Sequence, residues 1–132
     1  MNQARDEGRR TLQRMLSNGP LSNVPRRPAD QQLLVRLAAG QFEPQTAYAE
    51  GEVNDILETW IGTFCEAYSI DHVTLRRLLV DSRLLSRTAS GSSYRVNRAH
   101  LGEIEAVAEL EPAEILADIR SERASRKRQR AA

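Results

Sequence analysis

Residues 71–96 place a helical hydrophobic period directly before a two-residue alternation, and few folds accommodate that junction. Asp71-His72-Val73-Thr74-Leu75-Arg76-Arg77-Leu78-Leu79-Val80-Asp81 reads as a helix. Leu84-Leu85-Ser86-Arg87-Thr88-Ala89-Ser90-Gly91-Ser92-Ser93-Tyr94-Arg95-Val96 follows at once and reads as a short hairpin turning at Ser90-Gly91, with glycine supplying the backbone freedom a tight turn needs. Tyr94 and Val96 share one face by alternation, with Ser93 and Arg95 opposite. Upstream lies the clearest helical period in the chain, in which Val53, Ile56, Leu57, Trp60, Ile61 and Phe64 are spaced i, i+3, i+4, i+7, i+8, i+11. Two helices running into a hairpin outline a winged helix-turn-helix. The expected fold is mostly α with a small β-hairpin, a winged helix-turn-helix with additional N- and C-terminal helices. Such an outline says where to look for function without fixing it, because one fold hosts many activities.

The flanks supply those additional helices. Residues 4–16 form a short helix with Leu12, Met15 and Leu16 on one side, followed by a breaker-rich arm over 17–28. A first core helix spans 29–39, with Leu33, Leu34, Leu37 and Ala38 inward and Gly40 at its end. Phe42 to Tyr48 is expected to supply a short strand, broken early by Pro44. Glu50 and Glu52 suit the first turn of the next helix, where the helix dipole favours negative charge, and Gly62 weakens its end. Residues 65–70 read as a connector. Within 71–82, Leu75, Leu78, Leu79 and Ser82 form the expected inward stripe, with Val73 and Val80 on the other side beside Arg76 and Arg77. Asn97 is the expected N-cap of a fourth helix burying Leu101, Ile104, Val107 and Ala108. Pro112 suits the first turn of a fifth, with Ile115, Leu116 and Ile119 inward. The expected organisation is an N-terminal helix and Pro/Arg-rich arm (1–28), a winged-helix domain (29–97), acidic C-terminal helices (98–119) and a basic flexible tail (120–132) that frays for want of apolar partners.

Composition narrows the setting. The length of 132 residues fits one domain, and the low aromatic content leaves core building to aliphatic side chains. Cys65 is the only cysteine, so no intrachain disulfide can form and a reducing compartment is expected. No apolar run approaches the roughly 20 residues of a membrane span, and Met1 to Arg14 is charged rather than signal-like. A cytoplasmic protein without membrane association is the expectation. The net charge of +1 conceals blocks: +4 over residues 1–28, −3 over 29–97, −5 over 98–119 and +5 over 120–132. Basic charge at the ends and acid in the middle argue against simple strong DNA binding, which usually uses a basic folded face.

Tyr48-Ala49-Glu50-Gly51-Glu52-Val53-Asn54-Asp55-Ile56-Leu57, the run Asp71 to Asp81, Leu84-Leu85-Ser86-Arg87 and Gly91-Ser92-Ser93-Tyr94-Arg95 together resemble a bacterial domain-of-unknown-function family. The family occurs alone and fused to transcriptional regulators of the winged-helix type. The resemblance covers roughly residues 16–96. It implies a winged-helix-like fold in a regulatory setting and assigns no activity and no catalytic residues. Ala49 stands where the family usually places a capping Ser or Thr, so that cap must come from elsewhere. Glu58 to Ile70 is longer than the usual connector, which leaves the angle between its two helices open.

The candidate chemistry divides between binding and structure. Arg76 and Arg77, with Thr74, can reach guanine edges or phosphates if the 71–82 helix enters a major groove. They can instead pair with Glu50, Glu52, Asp55 or Asp81. Val73 and Val80 favour a covered outer face, and a covered arginine must be paired because an unpaired buried charge is costly. Arg87 and Arg95 on the hairpin, with Thr88, Ser90 and Ser92, can meet phosphates or a minor groove, or can form a solvated turn. Arg120, Arg123, Arg126, Lys127, Arg128 and Arg130 can bind phosphates, solubilise the chain, or fold onto acidic residues 103–118. His72, His100 and Cys65 are too scattered for a metal site, and no cofactor is expected. Phosphate-loop, zinc-peptidase and nucleophile-elbow motifs are absent, so no enzyme is expected. The leading expectation is a bacterial transcriptional regulator or accessory protein binding double-stranded DNA weakly or with help. The competing one is a protein-interaction or homodimerisation module that buries the Val73/Val80 side without touching DNA.

Overall fold

The computed structural model describes residues 2–131. Six α-helices and one two-stranded antiparallel hairpin make up the regular structure of these residues: α1 (Gln3–Met15), α2 (Pro28–Ala39), α3 (Glu50–Ile61), α4 (His72–Asp81), β1 (Leu85–Arg87), β2 (Tyr94–Val96), α5 (Leu101–Glu105) and α6 (Pro112–Ala131). A single 3-10 turn, Arg98–His100, precedes α5. The hairpin pairs Leu85 with Val96, Ser86 with Arg95 and Arg87 with Tyr94.

Local chemistry explains the boundaries. Pro28 opens α2, where its missing N–H costs nothing. α3 starts at Ala49, which has no side-chain acceptor, so Glu52 works from inside the helix and accepts from the Ala49 N–H at 2.9 Å. Asp71 caps α4 by accepting from the Val73 N–H at 3.0 Å. α4 ends in a Schellman motif, in which the Leu84 N–H donates to the Leu79 carbonyl and the Arg83 N–H to the Val80 carbonyl, both at 3.0 Å. The left-handed position of that motif belongs to Arg83 (φ 63°) rather than to glycine. This termination leaves Ser82 exposed. The expected inward stripe of α4 therefore holds Leu75 and Leu79, both fully buried, with Leu78 half-buried and Ser82 excluded.

One continuous apolar core joins every helix to the hairpin. It includes Leu12 and Leu16 of the N-terminal region, Leu34 and Leu37 of α2, Val53 and Leu57 of α3, Leu75 and Leu79 of α4, Leu85, Tyr94 and Val96 of the hairpin, and Ile104, Val107, Ile115 and Leu116 beyond it. Each fully buried leucine contributes roughly 1.5–3 kcal/mol of transfer free energy. α1 lies close on the 107–110 segment because residue 8 is glycine: a Cβ there would stand 2.7 Å from the Leu110 Cδ1. Asn2 ties the same ends together, its Nδ2 donating to the Ala106 carbonyl at 2.7 Å.

Three expectations change. The strand expected over Phe42 to Tyr48 reduces to one bridge, in which Tyr48 and Tyr94 exchange N–H···O bonds of 2.8 Å. Pro44 and the turn closed by the Thr46 N–H on the Glu43 carbonyl take the rest out of the extended state. The fourth helix is split, and Ala108 is exposed because the chain turns at 106–109. α6 runs on to Ala131 past the expected end at 119, with every side chain of 120–131 exposed.

Candidate nucleic-acid interface

α4 and the hairpin place the sequence-predicted residues at separate depths. Arg76 points toward α3, where its guanidinium bonds the Asn54 Oδ1 and lies 3.4 Å from Glu50. Its side chain is 14% exposed. Glu50 also accepts from the Tyr94 hydroxyl at 3.0 Å, so one carboxylate ties α3, α4 and β2 together. Thr74, Arg77 and Asp81 are exposed on the opposite face, as their i, i+3, i+7 spacing requires. Val80 is half-buried against the core, and Val73 is half-buried at the rim. The outer side of α4 thus presents one arginine, one threonine and one aspartate, with no separate valine face.

The hairpin adds more cations. Arg87 and Arg95 are exposed while Leu85, Tyr94 and Val96 anchor the strands from beneath. The turn is held by the Thr88 hydroxyl, which accepts from the N–H groups of Ser92 and Ser93 at 3.2 Å each. Gly91 takes φ 72° there. Two further arginines, which belong to no sequence motif, flank the strands. Arg83 sits exposed at the end of α4, its carbonyl accepting from the Asn97 Nδ2 at 2.8 Å. Arg98 is exposed in the 3-10 turn. The signal that finds them is an absence: from Ser82 to Gly102 the chain carries four arginines and no Asp or Glu. Totalling charge over the block 29–97 averages this island away.

Two other features stand on the surface. A hollow of about 440 Å³ is lined by Gln41, Asp55, Ile56, Thr59, Trp60 and Thr63, with Trp60 packed edge-on against Phe64 at 4.7 Å. Tyr68, in the α3–α4 connector, is fully exposed with φ 61°. The connector is fixed from outside by the N-terminal arm: Leu21 donates to the Phe64 carbonyl at 3.1 Å and accepts from the Glu66 N–H at 2.8 Å. Cys65 is buried beneath this clasp, and burial pushes its thiol up to about 12. Among the described residues no cluster of His, Cys, Asp and Glu is placed to hold a metal, and no helix is long and apolar enough to cross a membrane.

Comparison with known proteins returns one finding. Residues 20–96 match the family described as an uncharacterized protein conserved in bacteria (DUF2087), a span from the arm to the last residue of β2. α1, α5 and α6 lie outside it. No curated protein and no solved structure matches the chain.

Proposed function

The chain belongs to the bacterial DUF2087 family, and from that premise we propose that residues 28–96 are a winged helix-turn-helix that lays α4 and the hairpin on duplex DNA, in a transcriptional regulator or regulatory accessory protein. The observation that carries the proposal is that the run from Ser82 to Gly102, which has no Asp or Glu in sequence, leaves Arg83, Arg87, Arg95 and Arg98 all exposed around one hairpin, with Glu50 beneath it on Tyr94. The order α2, Tyr48 bridge, α3, α4, β1, β2 supports the winged-helix reading, because the bridge acts as the first strand of a three-stranded wing. Arg77 and Thr74 are the groove-facing side chains, Arg87 and Arg95 the wing contacts, and Arg83 and Arg98 the phosphate contacts. Arg76 positions α4 against α3. Asp71 and Asp81, exposed at the two ends of α4, oppose deep entry into the groove and keep binding weak.

The test is fluorescence anisotropy of a labelled random-sequence duplex across a salt series, with the Arg77→Ala/Arg87→Ala/Arg95→Ala variant alongside. Loss of these three cations makes the slope of log K against log salt shallower by at most about 2.7, the value reached when each neutralises one phosphate. An unchanged slope in the folded variant rejects the assignment. A second reading, a protein-interaction or homodimerisation module, is favoured by the hollow at Ile56 and Trp60 rather than by Val73 and Val80.

A further inference from the structure

We propose that the C-terminal half of α6 is a second, sequence-independent binding element for the phosphate backbone of nucleic acid. At 100° per residue, Arg120, Arg123, Arg126, Lys127 and Arg130 fall within an arc of about 120° on the helix surface. Only Glu122 and Arg128, among the charged residues of 120–131, lie off that arc. Pro112, Leu116 and Ile119 occupy the same arc within the preceding two turns or so, with Ile115 about 20° beyond its edge, and there all four meet the core or pack against it. The face that docks α6 on the body therefore changes from apolar to cationic past Ile119, and continues as a straight basic stripe. Its length from Arg120 to Arg130 is about 15 Å, and a nucleic-acid strand presents a phosphate every ~3.4 Å. Five cations thus face about four or five phosphates.

Among the described residues none of the stripe cations joins an ion pair, and the acidic groups of 103–118 are not placed against them. Neighbouring stripe cations repel at i, i+3 and i, i+4 spacing, which costs a few tenths of a kcal/mol per pair. A polyanion removes that cost. A lipid surface fits poorly, because residues 120–131 offer only Ala124 and Ala131 as apolar side chains and an interfacial helix needs a large apolar face.

The inference stands apart from the hairpin site, and one experiment separates them. The full-length protein is titrated into a labelled random-sequence duplex over a salt series, beside three variants: the five stripe residues changed to Ala, Arg128→Ala, and the hairpin triple variant. Alanine keeps helix propensity high, and circular dichroism checks the fold. The expected result is a slope of log K against log salt shallower by about 4.5 in the stripe variant and nearly unchanged in Arg128→Ala. The hairpin variant keeps the contribution of the stripe. A stripe variant with the slope of the parent overturns the inference, even where the hairpin variant loses binding. A loss confined to the stripe variant upholds it and removes the hairpin reading instead. Tighter binding to phosphatidylserine vesicles than to duplex also overturns it.

Discussion

Replacing Arg83 by glycine should move stability and DNA binding in opposite directions. Arg83 occupies the left-handed position of the α4 Schellman motif at φ 63°, where an L side chain costs roughly 1–2 kcal/mol relative to glycine. Glycine returns part of that gain through the greater freedom of the unfolded chain, roughly 0.5–1 kcal/mol. The side chain is exposed, so no buried contact is lost. The backbone bonds that close the motif, and the Asn97 Nδ2 bond to the residue 83 carbonyl, do not depend on the side chain. The net expectation is a gain of about 0.5–1 kcal/mol for Arg83→Gly, read as a higher urea midpoint at unchanged m-value. Under the proposed function the same substitution removes one phosphate contact, so the slope of log K against log salt should become shallower by about 0.9. A strained residue that would be more stable as glycine makes sense where its side chain has work to do. A loss of stability would refute the reasoning about the motif. A gain with unaltered DNA binding would refute the role given to the side chain.

The other expectations follow from the same contacts. Arg76→Leu removes the charged bond to Asn54 and the pairing with half-exposed Glu50, and should cost about 1–2 kcal/mol in urea denaturation once solvent screening is allowed for. Arg77→Ala, at an exposed position, should stay within about 0.5 kcal/mol of the parent. Cys65, buried with its thiol pushed up to about 12, should resist alkylation at pH 8 in the folded protein and react at once in urea. Equal rates in the two states would contradict its placement. Glu103 is held below its ordinary value by the hydrogen bond with His100 and then by Arg36. A lowered carboxylate stabilises the fold above its unfolded value of 4.5 and loses that contribution as pH falls through the folded value. Glu103→Gln should therefore flatten the acid limb of a stability profile below about pH 4.5 and matter little below both values.

The regular parts of the fold were legible because their periods are local. Val53, Leu57 and Ile61 are buried where the 3.6-residue period puts them. Phe64 keeps that period although α3 stops at Ile61, because the turn after Gly62 still aims it inward. Features that depend on distant partners were not legible. The single pairing of Tyr48 with Tyr94 joins segments on either side of two helices, and no alternation within 42–48 announces it. Ser82 follows the helical stripe by number, but the Schellman motif turns the chain before the stripe reaches it. The helix through 120–131 was missed because like charges and absent apolar partners argue for fraying, whereas α6 enters it already formed from Pro112. At the site, pairing of Arg76 with Glu50 was one of the alternatives the sequence left open, since both side chains were known but not their separation. Arg83 and Arg98 escaped notice because neither belongs to a motif. What sets them apart is that the run 82–102 holds no Asp or Glu in sequence.

The most direct measurement is an amide correlation spectrum of the 15N-labelled full-length protein titrated with a duplex at low salt. Graded shifts are expected at Thr74 and Arg77, across 83–98, and along 120–130, while Asn54 and Arg76 move little. Shifts centred on Ile56 and Trp60, or none at the hairpin, would contradict the proposed function and turn attention to a protein partner.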